Sequence, residues 1–278
     1  MAVISVPFGA GAHPVVSTRT NRGGAVSRGD QCCRPLDFPP SDTRAALSKP
    51  RCVATPSFDM RTLAIGDIHG CLAPLQQLWK LIDPRPGDRI VFMGDYIDRG
   101  PDSRGVIEFL IRLQQQDYDI TFLSGNHEEK FFLSEMDLTD RAHWLEAWGG
   151  PETLASYGPG GFDDVPAAHW EFLRKNRPYL ETDSHIFVHA NLEADVPLDR
   201  QMPFTLIHKK FGTPEPHQSG KTMICGHTAQ KSHRPANLGH AVCIDTDPGR
   251  GGWLTCLHVE TGSYWQTNVG GEQRVAAI

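Results

Sequence analysis

Five short apolar runs each lead directly into a polar turn, and this repeated arrangement constrains the fold more than any other feature. The fourth and fifth runs lead into His189 and His227. A short apolar run that is closed by a glycine turn is typical of a buried strand. We therefore expect buried strands whose ends carry polar side chains. The first three turns read Gly66-Asp67-Ile68-His69-Gly70, Gly94-Asp95-Tyr96-Ile97-Asp98-Arg99-Gly100 and Gly125-Asn126-His127-Glu128.

Helical patterns lie between the first three of these apolar runs. The stretch after the first turn repeats leucine at three- to four-residue spacing, and further helices are expected near 106–113 and 128–136. Strands are expected at 62–65, 89–93 and 120–123, so the pattern indicates an α/β sheet with right-handed crossovers. The second half is strand-rich, with runs at 186–188, 222–225, 241–244, 253–259 and 264–266, which favours a second sheet packed on the first.

The chain divides at Met60. Residues 1–59 are rich in glycine, proline, serine and arginine without a helical or strand period, and we interpret them as a disordered or artefactual extension, with a targeting segment as the alternative. Met60 resembles a natural N-terminus. Residues 60–278 are expected to form the catalytic domain, with a helical insertion at about 137–180 that contains Trp144, Trp148 and Trp170 as core residues.

Composition excludes several classes of protein. The 278 residues carry a net charge of -6, which gives no reason to expect a nucleic-acid or anionic-membrane partner. No run approaches the roughly 18 apolar residues of a membrane span, so we expect a soluble, cytoplasmic protein. The seven cysteines show no zinc-ribbon spacing and are expected to be reduced thiols. The sequence does not indicate an oligomeric state.

The polar turns suit metal binding. Ligand groups in α/β sheets collect at the carboxyl ends of strands, so aspartate, asparagine and histidine side chains from several turns are expected to converge. Oxygen and imidazole ligands together suit Mn²⁺, Fe²⁺ or Zn²⁺. A single Asp-x-His turn is more often a capped loop, but five polar strand ends in succession favour a shared site.

The motifs G-D-x-H-G, G-D-x-x-D-R-G and G-N-H-E, in this order, resemble the signature of the phosphoprotein phosphatase family, most closely bacterial and phage-type serine/threonine phosphatases. The resemblance covers about residues 60–266. It implies an α/β metallophosphatase sandwich, in which two mixed β-sheets are flanked by helices and a dimetal site lies at the strand ends.

The resemblance also implies roles for individual residues. One metal is expected on Asp67 and His69, and Asp95 is expected to bridge both metals. The other metal is expected on Asn126, His189 and His227. The cofactor is thus two divalent ions, with Mn²⁺ expected and Fe²⁺ or Zn²⁺ as alternatives, and a hydroxide that both metals bind is the expected nucleophile.

Catalytic and phosphate-binding roles follow from the same resemblance. His127 is expected to act as the general acid and Asp98 to hold its other ring nitrogen. Arg99 offers a planar fork for phosphate, and Asn126 is expected to contact the phosphate as well. Glu128 is expected to cap the following helix, or else to orient the histidine turn.

One segment departs from the family pattern. Many relatives have a second phosphate-binding arginine in W-I-R-x-x-F, whereas this chain reads Leu206-Ile207-His208-Lys209-Lys210-Phe211. His208 stands at the place of the arginine and is our candidate phosphate ligand. Lys209 or Lys210 could serve instead, or the three residues could form a solvated charge run. Asp245 resembles a position that lines the site, but a loop cap is an equal alternative.

A serine/threonine protein phosphatase is the predicted function, acting on a phosphorylated protein or a small phosphoester. A symmetrical bis(5'-nucleosyl)-tetraphosphate hydrolase is the alternative, although its second motif usually lacks the aspartate present here as Asp98. A cyclic phosphodiesterase usually ends in G-H-x-H, whereas this chain has Gly226-His227-Thr228-Ala229. A noncatalytic protein is disfavoured because the ligands and the acid are all present.

Overall fold

The computed structural model describes residues 60–278, so the expected extension 1–59 lies outside the described residues. Its strands are β1 (Thr62–Ile65), β2 (Arg89–Phe92), β3 (Asp119–Phe122), β4 (Tyr179–Glu181), β5 (His185–Val188), β6 (Thr222–Cys225), β7 (Ala236–Asn237), β8 (Ala241–Cys243), β9 (Leu254–His258), β10 (Ser263–Thr267) and β11 (Gln273–Ala277). Its α-helices are α1 (Leu72–Ile82), α2 (Ser103–Gln114), α3 (Asn126–Met136), α4 (Leu138–Ala147), α5 (Gly150–Tyr157), α6 (Ala167–Arg174) and α7 (Pro203–His208).

The strands form two mixed sheets. The first sheet has the order β11-β10-β9-β1-β2-β3, with β1, β2 and β3 parallel to one another and β9, β10 and β11 antiparallel to their neighbours. The second has the order β4-β5-β6-β8-β7, with β5, β6 and β8 parallel. The expected fold class, a sandwich of two mixed sheets with helices, is confirmed.

The assignment of strands to sheets differs from the expectation that the second half forms the second sheet. Strand β9 pairs with β1 in antiparallel register, with Leu63 opposite His258 and Ile65 opposite Cys256, so β9 to β11 extend the first sheet. This pairing covers the open edge of β1. It also places Leu257 between the sheets and Cys256 against the helices, which matches the two faces of β1.

Alternation of side chains along the strands explains the layers. Leu63 and Ile65 of β1 face the core under the helices, whereas Ala64 faces the second sheet. On β5, Phe187 faces the first sheet and Ile186 faces the opposite core. Since every one of these side chains is fully buried, each larger one contributes about 1.5 to 3 kcal/mol to folding.

Helices cover the outer faces of the sandwich. Leu75 and Leu78 of α1 and Val106 and Leu110 of α2 lie one helical turn apart and pack in the core beneath the first sheet. Residues of α7 pack in the core of the second sheet. Between residues 138 and 174 the chain is mainly helical and adds Trp144 to the first core. Within residues 60–278, no helix has the length and apolar character that crossing a membrane requires.

Candidate active site

Turns at the carboxyl ends of strands from both sheets supply the candidate site. Asp67, Asp95 and Asn126 follow β1, β2 and β3, while His189 and His227 follow β5 and β6. Many of these turn residues adopt a left-handed backbone, which is unfavourable outside glycine and marks a functional turn when the surroundings enforce it. Those with positive φ are His69 (48°), Asp95 (52°), Asp98 (72°), Arg99 (69°) and His227 (64°).

Asp95 is shared by two clusters of metal-binding side chains. One cluster joins it to His69 and His127, and the other joins it to His189 and His227; within each, the ligand atoms lie within 4.8 Å of one another. Asp95 Oδ1 is 3.3 Å from His189 Nε2, and Asp95 Oδ2 is 3.7 Å from His69 Nε2. Each carboxylate oxygen therefore faces a different cluster, which is the arrangement a bridging ligand requires.

Asn126 belongs to the second cluster. Its Oδ1 lies 3.0 Å from His189 Nε2 and 2.8 Å from His227 Nδ1. Because Asn126 is the first residue of α3 and follows β3, the first sheet delivers an amide oxygen to two imidazoles from the second sheet. The three residues expected to hold one metal are thus brought together.

Asp67 is buried beside these clusters without belonging to either. Both of its carboxylate oxygens accept from the backbone N–H of His227, at 3.2 and 3.0 Å. Burial, followed by the charges of Asp245 and Asp95, raises the pKa of Asp67 well above its usual value. A Cβ at Gly226 would lie 2.0 Å from Asp67 Oδ1, so only glycine fits there. This excess of buried negative charge favours a bound cation.

Backbone carbonyls orient the three expected imidazole ligands. His69 Nδ1 lies 2.9 Å from the carbonyl oxygen of Ile97, and His189 Nδ1 lies 2.8 Å from that of Met93. In His227 the other ring nitrogen faces a carbonyl, since Nε2 lies 3.0 Å from the carbonyl oxygen of His208. Each ring nitrogen that faces a carbonyl must donate, which leaves the other nitrogen with its lone pair towards the site.

The pKa values of two of these rings favour the neutral form that binds metal, whereas the contact with Asp95 outweighs burial and raises the pKa of His189. Burial lowers the pKa of His69 well below its usual value, with Arg99 adding to the effect. Burial and the neighbouring His189 lower the pKa of His227 to about 3. Both imidazoles are therefore neutral near pH 7, as metal ligands must be. The oriented imidazoles, the amide and the two aspartates fit a pair of divalent ions.

His127 and Asp98 form a buried pair. His127 Nδ1 lies 2.6 Å from Asp98 Oδ2, so the ring donates through Nδ1 and presents Nε2 to the site. Nε2 is 2.9 Å from Arg99 Nη2 and 3.9 Å from Asp95 Oδ2. The hydrogen bond that was expected between His127 and Asp98 is present, and the other ring nitrogen accepts from Arg99.

Arg99 lies across the site. Its Nη1 contacts His69 Nε2 and its Nη2 contacts His127 Nε2, while its Nε is buried without a partner among the described residues. Gly149 approaches the backbone of Arg99 so closely that a Cβ there would lie 2.3 Å from the Arg99 nitrogen. The guanidinium borders a cavity of about 290 Å³ that is lined by residues including Asp95, Asn126, His127, Trp148, His208 and Lys210.

His208 and the two lysines have different surroundings. His208 lines the cavity at the end of α7, but its Nε2 lies 2.6 Å from Glu129 Oε2. Lys209 pairs with Glu193 at 2.7 Å, whereas Lys210 lines the cavity. The expectation that His208 binds phosphate stays a prediction, and Lys210 joins it as a basic group at the cavity.

Glu128 caps α3, which is one of the two alternatives expected from the sequence, and its other contacts are with the Asp95 turn rather than with the histidine turn. Its carboxylate accepts from the backbone N–H of Gly125, at 3.0 Å, which caps α3. It also accepts from the N–H groups of Asp95 and Tyr96, at 2.9 and 2.8 Å, and so holds the turn that carries the bridging aspartate. Burial and the charge of Asp95 raise the pKa of Glu128 to about 7.

The sequence analysis did not assign a site role to several residues that contact the site. Trp148 lines the cavity, with its ring centroid 4.9 Å from that of His127. Trp144 and Thr153 hydrogen-bond to Asp98. The only signal for Trp144 and Thr153 in the sequence was their position in the helical segment, because their contacts with Asp98 span 46 and 55 positions.

Several known proteins are similar to this chain in sequence or in fold. Residues 60–231 match the family described as calcineurin-like phosphoesterase. A bis(5'-nucleosyl)-tetraphosphatase PrpE [asymmetrical] from Anoxybacillus flavithermus is 30% identical over 226 residues, which is 69% of this chain and 88% of that protein. A symmetrical bis(5'-nucleosyl)-tetraphosphatase from Chromobacterium violaceum is 43% identical over 70 residues, and the chain spans only 24% of its length.

A solved structure described as a diadenosine tetraphosphatase has the same fold, with a TM-score of 0.55 and 21% identity over 80% of this chain and 96% of that one. The family match extends from β1 to β6 and so includes the strand ends that carry the clustered ligands. The resemblance to metal-dependent phosphatases is thereby confirmed, and the chain belongs to the calcineurin-like phosphoesterase family of metallophosphatases.

Proposed function

We propose that the chain hydrolyses phosphoserine and phosphothreonine esters in polypeptides. The observation that carries this proposal is the buried pair of His127 and Asp98, joined at 2.6 Å at the edge of the cavity. A serine or threonine alkoxide is a poor leaving group and needs a proton as the P–O bond breaks. The pair would supply that proton from His127 Nε2 once the ring has taken up a proton there in place of the hydrogen bond from Arg99, and Asp98 would stabilise the resulting imidazolium through Nδ1.

Two divalent ions would be held by Asp67, His69 and Asp95 on one side and by Asp95, Asn126, His189 and His227 on the other. When bound, such ions supply Lewis acidity and lower the pKa of water, and Mn²⁺ is the ion we expect here. The chain itself holds the ligands in place through its backbone carbonyls and through Glu128. It also limits the access of water, since most of the ligand side chains are buried.

Substrate phosphate would be recognised by positive charge at the cavity. Arg99 has two guanidinium nitrogens in one plane, which would suit two phosphate oxygens better than the point charge of a lysine once they leave His69 and His127 for the substrate. His208 and Lys210 line another part of the same cavity. Since Arg99 contacts His127 at 2.9 Å, a phosphate bound by Arg99 lies within reach of the proposed acid.

A second candidate is the hydrolysis of dinucleoside tetraphosphates. Relatives named for that activity support it, and so does the indole of Trp148 at the cavity, which offers a surface for a nucleobase. The bond broken in such a substrate releases a nucleotide phosphate, which is a good leaving group. This reaction would therefore depend little on a proton from His127.

The two candidate functions differ in how strongly the reaction rate depends on a proton from His127, because their leaving groups differ. We would measure kcat/KM for a phosphoserine peptide and for diadenosine tetraphosphate with the unaltered enzyme, with His127→Asn and with the control His258→Asn, whose imidazole pairs with Glu260 on the first sheet. The first candidate predicts that the peptide is preferred and that His127→Asn slows it by about 10²- to 10⁴-fold. Preference for diadenosine tetraphosphate, with less than about tenfold dependence on His127, would establish the second candidate instead.

A further inference from the structure

Asp98 is held by three side chains. Two of them come from the helical segment that connects β3 to β4 along the chain. Trp144 Nε1 donates to Asp98 Oδ2 at 2.8 Å, and Thr153 Oγ1 donates to Asp98 Oδ1 at 2.7 Å. His127 Nδ1 donates to Oδ2 at 2.6 Å. Asp98, Trp144 and Thr153 are all fully buried, so these hydrogen bonds do not compete with water.

A second set of contacts fixes the backbone at the same residue. The N–H of Asp98 lies 2.9 Å from Thr153 Oγ1 and 3.1 Å from Ser103 Oγ, and the two hydroxyl oxygens are 3.0 Å apart. Asp98 has a φ of 72°, a left-handed conformation that an aspartate adopts only when its surroundings enforce it. Thr153 thus fixes both the main chain and the carboxylate of Asp98.

We propose that Trp144 and Thr153 are positioning residues that hold the Asp98 carboxylate in the plane of the His127 ring. A carboxylate bound only through His127 can rotate about its side-chain bonds, and each rotation lengthens the bond to Nδ1. Because Thr153 donates to Oδ1 and Trp144 donates to Oδ2 beside His127, the two oxygens are distinguished and the carboxylate is held in one orientation.

The helical segment therefore does more than fill the core beneath the first sheet. Helix α4 supplies Trp144 and helix α5 supplies Thr153, so the segment completes the support of the acid from outside the turns that bind metal. The kinetic consequence of this inference rests on the proposed acid role of His127. Its structural consequence is a loosened hydrogen bond between His127 and Asp98, and this consequence is independent of the acid role.

The test compares variants with matched controls. Trp144→Phe removes the indole donor and keeps an aromatic ring, and Trp170→Phe makes the same change in the same aromatic cluster without touching Asp98. Thr153→Val removes the hydroxyl at nearly constant size, while Thr153→Ser keeps it. Thr121→Val controls for the loss of a buried threonine hydroxyl elsewhere.

Two readouts are measured on the full chain loaded with diamagnetic Zn²⁺. The first is the downfield proton resonance of the buried Nδ1–H of His127, identified by its disappearance in His127→Asn. The second readout is steady-state kinetics on a phosphoserine peptide, with kcat and KM determined individually. We expect Trp144→Phe and Thr153→Val to lose the resonance through faster exchange and to lower kcat by about tenfold or more, which corresponds to about 1.4 kcal/mol, with KM little changed.

Thr153→Ser, Trp170→Phe and Thr121→Val should retain both properties. An unchanged resonance in either Trp144→Phe or Thr153→Val would overturn the proposal, because both donors are required. If Trp144→Phe does not fold, the comparison of Thr153→Val with Thr153→Ser decides the matter alone. A lost resonance with unchanged kcat, in a protein whose His127→Asn variant is also fully active, would support the positioning and refute the proposed acid.

Discussion

Glu129 Oε2 lies 2.6 Å from His208 Nε2, so a carboxylate of α3 engages the imidazole at the end of α7. These two residues are 79 positions apart in the chain, and His208 lines the cavity beside Arg99. The imidazole that the sequence pattern predicted in place of a phosphate-binding arginine is therefore already paired. A positive charge introduced at this position will act on phosphate only to the extent that Glu129 does not neutralise it.

This pairing predicts how an arginine would behave at position 208. His208→Arg alone should raise kcat/KM on 4-nitrophenyl phosphate only slightly, because Glu129 binds the new guanidinium. His208→Arg combined with Glu129→Gln should gain about 10- to 150-fold, the equivalent of one charge-assisted hydrogen bond. Lys209→Ala, whose ammonium is paired with Glu193, should be silent. Equal rates for the single and double variants would show that this part of the cavity does not reach the phosphate.

Metal counts should distinguish a bridging ligand from an acid. Asp95→Asn removes the carboxylate shared by both clusters and should reduce bound metal from two ions to one or none. His127→Asn should leave two ions in place while turnover falls. Elemental analysis after dialysis against Mn²⁺ measures both. Because His127 also lies in a cluster with His69 and Asp95, loss of an ion from His127→Asn would make it a ligand and contradict our assignment.

Asp245 should make the metal-free protein less stable as the pH rises. Burial raises its pKa from 3.8 to about 6, so the folded state holds a proton that the unfolded chain releases between these values. The free energy of unfolding should therefore fall by about 1 to 3 kcal/mol from pH 4 to pH 7. Urea unfolding with chelator present should show this slope in the unaltered protein and in the surface variant Asp163→Asn, and a shallower slope in Asp245→Asn. If the slope in Asp245→Asn equals that of the unaltered protein, the pH dependence of stability does not come from Asp245.

Removal of residues 1–59 should preserve folding and turnover. Both sheets and every candidate site residue lie within residues 60–278. We expect kcat/KM to stay within about twofold and the thermal midpoint to change little. Thermal unfolding followed by circular dichroism, together with phosphatase assays of the shortened chain, provides the measurement. An insoluble or inactive product would assign the segment a structural role.

The part of the site that the sequence could predict is encoded locally. Each ligand sits within four residues of the end of its strand, and the apolar run before it is short enough to define that strand. The observed β1 and β6 match the expected strands residue for residue, at Thr62–Ile65 and Thr222–Cys225. Local turns of this kind need no knowledge of distant contacts, and the residues expected on the second metal do come together.

The rest depends on contacts between distant parts of the chain. Strands β9 to β11 join the first sheet through pairing of β9 with β1, which strand-like composition cannot specify. Strand β11 is mostly exposed and lacks an alternating pattern. Helix α7 has only six residues, too few for a clear helical period. The contacts of Asp98 with Trp144 and Thr153 span 46 and 55 positions and have no local signature.

The left-handed turns have a consequence for how the enzyme acquires its metal. His69, Asp95 and His227 hold backbone conformations that the isolated chain disfavours, and the ligands extend over 160 positions from Asp67 to His227. A chain still emerging from the ribosome therefore presents only separate, weak donors until β6 has docked beside the first sheet. We therefore expect ion selection to be made by the folded protein, in which the ligands from both sheets have come together.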